Sequence, residues 1–241
     1  MTQHSVGLVM PVIGQLAFTQ EALRSITTFN HIAKCIVDNG STDGTVEWLK
    51  LYHPDDCILN GHNAGLTVAW NQGMEFCRRK GCQYVLITNN DVLYHPKTID
   101  NLVAALEEHP DWGMATAVNE AGRFRDNPQG IFDMELPAEP TNAEHPDFSC
   151  FMLRMEAYDR IGPFDEEFSR RGKAFYEDND YHYRMKLLGI PARSITNAPY
   201  FHYGSLTANS LGVTATQNQH YYVEKWGGMP DAERFKTPFN Q

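Results

Sequence analysis

The sequence lacks most of the features that declare a function at first sight. Its five cysteines, Cys35, Cys57, Cys77, Cys82 and Cys150, are odd in number and scattered. They contain no Cys-x-x-Cys pair and no Cys/His spacing suited to zinc. Reduced thiols are therefore expected, and with them a cytoplasmic location. No run approaches about 18 uninterrupted apolar residues, and no basic leader or cleavage pattern precedes Pro11, so neither a membrane span nor a signal peptide is expected. Positive charge is also scarce: 20 Lys+Arg stand against 30 Asp+Glu, a net charge of −10. That balance excludes sequence-independent binding to nucleic acid over a broad basic face and disfavours docking on anionic lipid. Gly-x-x-x-x-Gly-Lys, Gly-x-Gly-x-x-Gly after a strand, His-Glu-x-x-His and Gly-x-Ser-x-Gly are all missing. P-loop kinases, dehydrogenases of the usual fingerprint, zincins and α/β-hydrolases drop out with them.

What is present is a 42% hydrophobic chain of 241 residues in which short β-branched runs alternate with amphipathic segments. That alternation over the first 118 residues is the pattern of β-α-β units and of a mostly parallel sheet flanked by helices. Strands are expected at Val6–Met10, stopped by Pro11, then at Ala33–Val37, Cys57–Leu59, Tyr84–Thr88 and Gly113–Val118. Helices are expected from Gln20 to about Phe29 with Thr19 as cap, after Asp43 with Val46, Leu49 and Leu51, from Ala64 to Lys80, and from Pro96 to about His109. Periodicity disappears between Asn119 and Asp147, where Pro128, Pro137, Pro140 and Pro146 fall, and a long functional loop is expected. Strand character returns at Phe148–Arg154 and Ala192–Thr196, with a helix at Glu177–Leu188. The economical division is one domain over 1–208, with a first half (1–118) and a second half (119–208). A helical extension follows over 209–241, its Tyr221, Tyr222 and Trp226 packing onto the core.

In open α/β sheets ligands bind at the carboxyl ends of the strands. Polar residues directly after apolar runs are therefore the candidates: Asp38-Asn39-Gly40-Ser41-Thr42-Asp43-Gly44, Asn89-Asn90-Asp91 and the segment around His202. A carboxylate at the mouth of a buried strand is costly unless a cation or donor meets it, and such oxygens suit Mg2+ or Mn2+. A second acidic cluster, Glu177-Asp178-Asn179-Asp180, opens a helix, where it could equally complement the helix dipole, and Asp180 could pair with Arg184 four residues on.

Taken in order, these segments resemble glycosyltransferase family 2, whose members have the GT-A fold. The resemblance rests on Val9-Met10-Pro11-Val12, Ile36-Val37-Asp38-Asn39-Gly40-Ser41-Thr42-Asp43-Gly44-Thr45, Asn63-Ala64-Gly65 with Asn71 and Gly73, and Thr88-Asn89-Asn90-Asp91. It continues through Ile161-Gly162-Pro163-Phe164-Asp165-Glu166 to Phe175-Tyr176-Glu177-Asp178-Asn179-Asp180 and Arg184. It implies inverting transfer of a sugar from a nucleoside diphosphate, a UDP- or dTDP-sugar by the rhamnosyltransferase-like pattern, to an acceptor hydroxyl. By position, Pro11, Val12, Asp38, Asp43, Asn63, Gly65, Asn71 and Asn90 would serve donor binding, and Asn89, Asp91 and His202 would hold Mn2+ or Mg2+. Asn89 replaces the acidic residue that usually opens the metal motif. Asp178 would be the general base and Glu177 would help bind the acceptor, which could be a glycan, a lipid-linked glycan, a protein or a modified nucleobase. The loop 119–147, with Arg123 and Arg125, is the expected acceptor-specific element. Six carboxylates, Asp38, Asp43, Asp91, Glu177, Asp178 and Asp180, would then share a site with an anionic donor, which requires a cation. Two other readings remain: a sugar nucleotidyltransferase, disfavoured because no basic residue precedes Arg24, and an inactive glycan- or nucleotide-binding module of the same fold.

Overall fold

The computed structural model describes residues 2–138, 140–144, 146–204, 212 and 214–240. Its strands are β1 (Ser5–Val12), β2 (His31–Asp38), β3 (Cys57–Leu59), β4 (Tyr84–Thr88), β5 (Val92–Tyr94), β6 (Met114–Asn119), β7 (Asn142–Ala143), β8 (Cys150–Arg154) and β9 (Ala192–His202). They form one sheet in the order β3-β2-β1-β4-β8-β6-β9-β5, with β7 added on β9. The half β3-β2-β1-β4 is parallel throughout. Its crossovers are α1 (Leu16–Ser25), α2 (Thr45–Tyr52) and α3 (Leu66–Arg79), as parallel pairing requires. The other half is mixed, because β8 runs antiparallel to both β4 and β6 while β6 and β9 are parallel.

Alternation along the strands divides the core between the two faces of the sheet. Val6, Leu8, Met10 and Val12 of β1 join one cluster with Tyr94, Leu102 and Tyr200. Val9 faces the other side, with Trp70, Met74, Phe151 and Phe164. All five residues of β4 are buried, which accounts for its unbroken apolar run.

Several expectations change. Pro11 does not stop β1. Val12 accepts from Asn39 N–H on the β2 side at 2.8 Å, so the neighbouring Pro11 turns its nitrogen the other way. Pairing with β4 there ends at Val9, and no ladder bond is lost. Thr19 is not a cap but a buried residue inside α1, its hydroxyl accepting from Asn90 Nδ2 at 2.9 Å. The α1 terminus is served instead by Asp43, whose Oδ2 accepts from Leu16 N–H at 3.1 Å. Pro96 lies two residues before α4 (Thr98–Glu108), and Leu51 on α2 is exposed.

The stretch 119–147 is not a bare loop. It carries α5 (Ala121–Phe124), a 3-10 turn at Pro128–Asp133 and β7, with Ile131 buried against Leu93 and Phe201. Strand β9 passes beyond Thr196 because its register against β6 slips between Thr116 and Val118, an irregularity that bends the strand onward to His202. The antiparallel half also holds the short helices α6 (Met155–Ile161) and α7 (Glu167–Arg171), followed by α8 (Glu177–Leu187) and α9 (Thr216–Trp226). Tyr221, Tyr222 and Trp226 of α9 pack with Phe168 and Tyr183. The boundary expected between 208 and 209 lies outside the described residues.

Candidate active site

A cleft of about 490 Å³ opens where the parallel strands end, as the topology of an open α/β sheet requires. Pro11, Val12 and Ile13 line it from the end of β1, Asn39 from the end of β2, and Asn89, Asn90 and Asp91 from the end of β4. Asn63, Leu66 and Trp70 come from the entry to α3, Asp147, Phe148 and Ser149 from the approach to β8, and Lys173, Ala174, Phe175, Glu177 and Asp178 from the entry to α8.

On the β1–β2 side, Asp38 is fully buried. Its Oδ1 accepts from Gly40 N–H (2.9 Å) and Ser41 N–H (3.1 Å), while its Oδ2 has no partner. Asp38 does not itself line the cleft, but its neighbour Asn39 does, and an orphaned buried carboxylate oxygen is a costly arrangement that a donor would relieve. Asp43 lies outside the cleft lining. Its oxygens accept from Thr45 Oγ1 (2.6 Å), Thr45 N–H (3.2 Å) and Leu16 N–H (3.1 Å), stapling the β1–α1 and β2–α2 loops together. Partial burial works against its charge, but those donors outweigh it and hold its carboxyl below the usual range. Asn63 lines the cleft and its Oδ1 accepts from Gly65 N–H at 3.0 Å. Gly65 stands at φ 97°, where a Cβ would fall 2.3 Å from that of Ser169, so no side chain fits there. Asn71 is elsewhere. Its Nδ2 donates to Phe164 O (2.9 Å) and Glu166 Oε1 (3.1 Å), and its Oδ1 accepts from Phe164 N–H (2.9 Å), tying α3 to the α6–α7 turn.

At the end of β4 the antiparallel register Val92↔His202 sets β5 beside β9. It carries Asp91 and His202 to one place. His202 Nε2 lies 3.0 Å from Asp91 Oδ1 and 3.3 Å from Asn89 Nδ2. Among the described residues no three His, Cys, Asp or Glu side chains converge, so the candidate set is one carboxylate, one imidazole and one amide. The set fits a small oxygen-preferring cation. Adjacent ligands of an octahedral ion with bonds of about 2.1 Å lie roughly 3 Å apart, and Mg2+ commonly uses only one or two carboxylates besides substrate phosphates.

At α8 the two neighbouring carboxylates differ. Glu177 is buried, its Oε2 has no partner, and burial together with the charge of Asp178 pushes its carboxyl up to about 8. It is therefore mostly neutral near pH 7. Asp178 is half-buried on the cleft wall, and burial also raises its carboxyl, assisted by the charge of Asp147 and opposed by the Asn179 N–H bond at 2.8 Å. Asp180 does not belong to the site. It is fully buried behind the helix against Arg184 Nε (3.0 Å), Lys225 Nζ (2.6 Å) and Trp226 Nε1 (2.8 Å). Arg123 and Arg125 do not line the cleft either. Asp147, Lys173 and Trp70 do, and nothing in their sequence surroundings announced it.

Residues 8–162, more than half of the chain, match the family model described as Glycosyl transferase family 2. The chain belongs to this family. Comparison with curated proteins gave no match. Among solved structures, the family 2 chain resembles the mannosyltransferase PcManGT from Pyrobaculum calidifontis, determined in complex with GDP-Man and Mn2+. The TM-score is 0.62 at 19% identity over 83% of this chain and 57% of that one. It also resembles residues 1–349 of S. aureus TarS, with a TM-score of 0.60 at 15% identity over 83% of this chain and 61% of that one. The family 2 chain thus spans roughly three-fifths of these neighbours' length and shares their GT-A glycosyltransferase fold. No helix among its described residues is long and apolar enough to cross a membrane.

Proposed function

We propose that the protein is an inverting glycosyltransferase that takes a sugar from a UDP- or dTDP-linked donor, with Mn2+ or Mg2+, and delivers it to an acceptor hydroxyl. The observation that carries this reading is that Asp91, which His202 Nε2 meets at 3.0 Å from outside the lining, and the half-buried carboxylate of Asp178 share the wall of one cleft at the strand ends. The base of the nucleotide lies along Pro11 and Val12 with its donor on the orphaned Oδ2 of Asp38. Asp91, His202 and Asn89 would hold the divalent ion, and its chemistry would be to supply positive charge to the diphosphate leaving group. Asp178 takes the acceptor proton while the acceptor oxygen bonds to the anomeric carbon and the electron pair of the broken C–O bond leaves with the nucleoside diphosphate. A carboxylate that burial raises above its ordinary range is a stronger base for that step than an exposed one. Glu177, neutral in its buried position, donates a hydrogen bond to the acceptor instead of competing for its proton.

The test is Asp178→Asn. Turnover of the sugar nucleotide should fall by roughly a hundredfold or more, the scale of a lost general base, while calorimetric affinity for the nucleoside diphosphate stays within about twofold. Wild-type turnover in this variant would overturn the assignment.

A further inference from the structure

The cleft wall carries four carboxylates, Asp91, Asp147, Glu177 and Asp178, and among the described residues only one cationic side chain, Lys173. Among the described residues no ion pair engages that lysine, and its Nζ makes a single hydrogen bond, to Asn63 O at 3.1 Å, leaving two of its three donors available. The position is built rather than incidental. Lys173 holds φ 70°, and Phe175 and Tyr176 follow at 78° and 67°, three side-chain-bearing residues in the left-handed region within four positions. Each such residue is strained and persists only where the surroundings over-determine it.

The surroundings do so here. Lys173 N–H donates to Phe168 O (3.2 Å), and its carbonyl accepts from Leu66 N–H at the start of α3 (3.0 Å). From α9, the fully buried Asn218 donates through Nδ2 to the carbonyls of Ala174 (2.7 Å), Phe175 (3.0 Å) and Phe168 (3.1 Å). Gly172 lets that contact form, since a Cβ there would fall 2.7 Å from Asn218 Cγ. Both Lys173 and Asn218 lie beyond the residues that the family model matches.

Apart from the neutral Glu177, a doubly charged diphosphate entering the cleft meets the carboxylates of Asp91, Asp147 and Asp178, and one divalent ion does not balance them together. We infer that Lys173 binds the donor's diphosphate and neutralises the departing nucleoside diphosphate, and that Asn218 is a positioning residue that holds the lysine's loop in its left-handed path. This rests on the nucleotide-sugar reading above and adds to it a cation supplied by the chain itself.

Calorimetry on the full chain with Mn2+ tests it, using UDP and dTDP beside uridine and thymidine. Lys173→Met should weaken the diphosphate that binds by roughly tenfold, the scale of a charge-assisted hydrogen bond, and leave the matching nucleoside unchanged. Lys173→Arg should retain most of the affinity. Asn218→Asp, nearly isosteric but presenting oxygen to three carbonyls, should show the same diphosphate-selective loss. Wild-type diphosphate affinity in Lys173→Met, or equal losses for nucleoside and diphosphate, would overturn the inference while leaving the nucleotide-sugar reading intact. Failure of the wild-type chain to bind either diphosphate would instead overturn that reading, and the inference with it.

Discussion

At the scale of single residues, the site works by giving like groups unlike surroundings. Glu177 and Asp178 are adjacent in sequence, yet one is buried with an orphaned oxygen and the other stands on the cleft wall. Glu177 has a pH signature. Its carboxyl is raised from 4.5 to about 8 in the fold, so its neutral form is favoured there while the unfolded chain ionises earlier. Its contribution is fully present below its ordinary value and is lost as pH climbs from there through about 8. Glu177→Gln should therefore flatten the fall in melting temperature between about pH 5 and pH 9, and parallel slopes for variant and wild type would contradict the burial argument. Asp178 and Asp180 carry a different lesson. Two residues apart on a helix means roughly 200° of rotation, so one carboxylate reaches the cleft and the other meets Lys225 and Trp226 behind it. Proximity in sequence grouped them, and the helix period separates them.

At the scale of elements, the parallel half was legible because its signals are local. Tyr84–Thr88 and Cys57–Leu59 occur at the expected bounds, each a short run whose character follows from burial alone. The antiparallel half was not, since β5, α6 and α7 are too short for a periodicity to register. The passage of β9 to His202 depends on a slip against β6 that only pairing defines. The same limit hid Asp147, fixed by Tyr200 OH at 2.7 Å from a distant strand, and the partners of Asn71, which lie on the α6–α7 turn. Helix α3 shows how far apart such partners can be. Its first turn has no local cap, and Ser169 Oγ accepts from Thr67 N–H at 2.9 Å across 102 positions. Ser169→Ala should cost about 1 kcal/mol, the usual value of a helix cap. Denaturant unfolding checks it, and an unchanged midpoint would mean that the bond contributes nothing.

At the scale of the whole molecule, the two halves of the sheet meet along β4 and β8, and the cleft takes one wall from each. One side is built from strand ends, and the opposite side from a strained loop latched by α9. Net charge connects them. The balance of −10 is partly concentrated at the cleft, where Asp147 joins Asp91, Glu177 and Asp178 on the wall while Asp38, Asp43 and Asp180 lie outside its lining, so the acidic neighbours of the proposed cation differ from those the sequence suggested. The most direct measurement of the central claim is calorimetric titration of UDP, dTDP and GDP into the purified chain with and without Mn2+, repeated on Asp91→Ala. UDP or dTDP should bind, more tightly with Mn2+, and the metal-dependent gain should vanish in Asp91→Ala. Absence of binding by all three nucleotides, or a metal-dependent gain that survives in Asp91→Ala, would contradict the account.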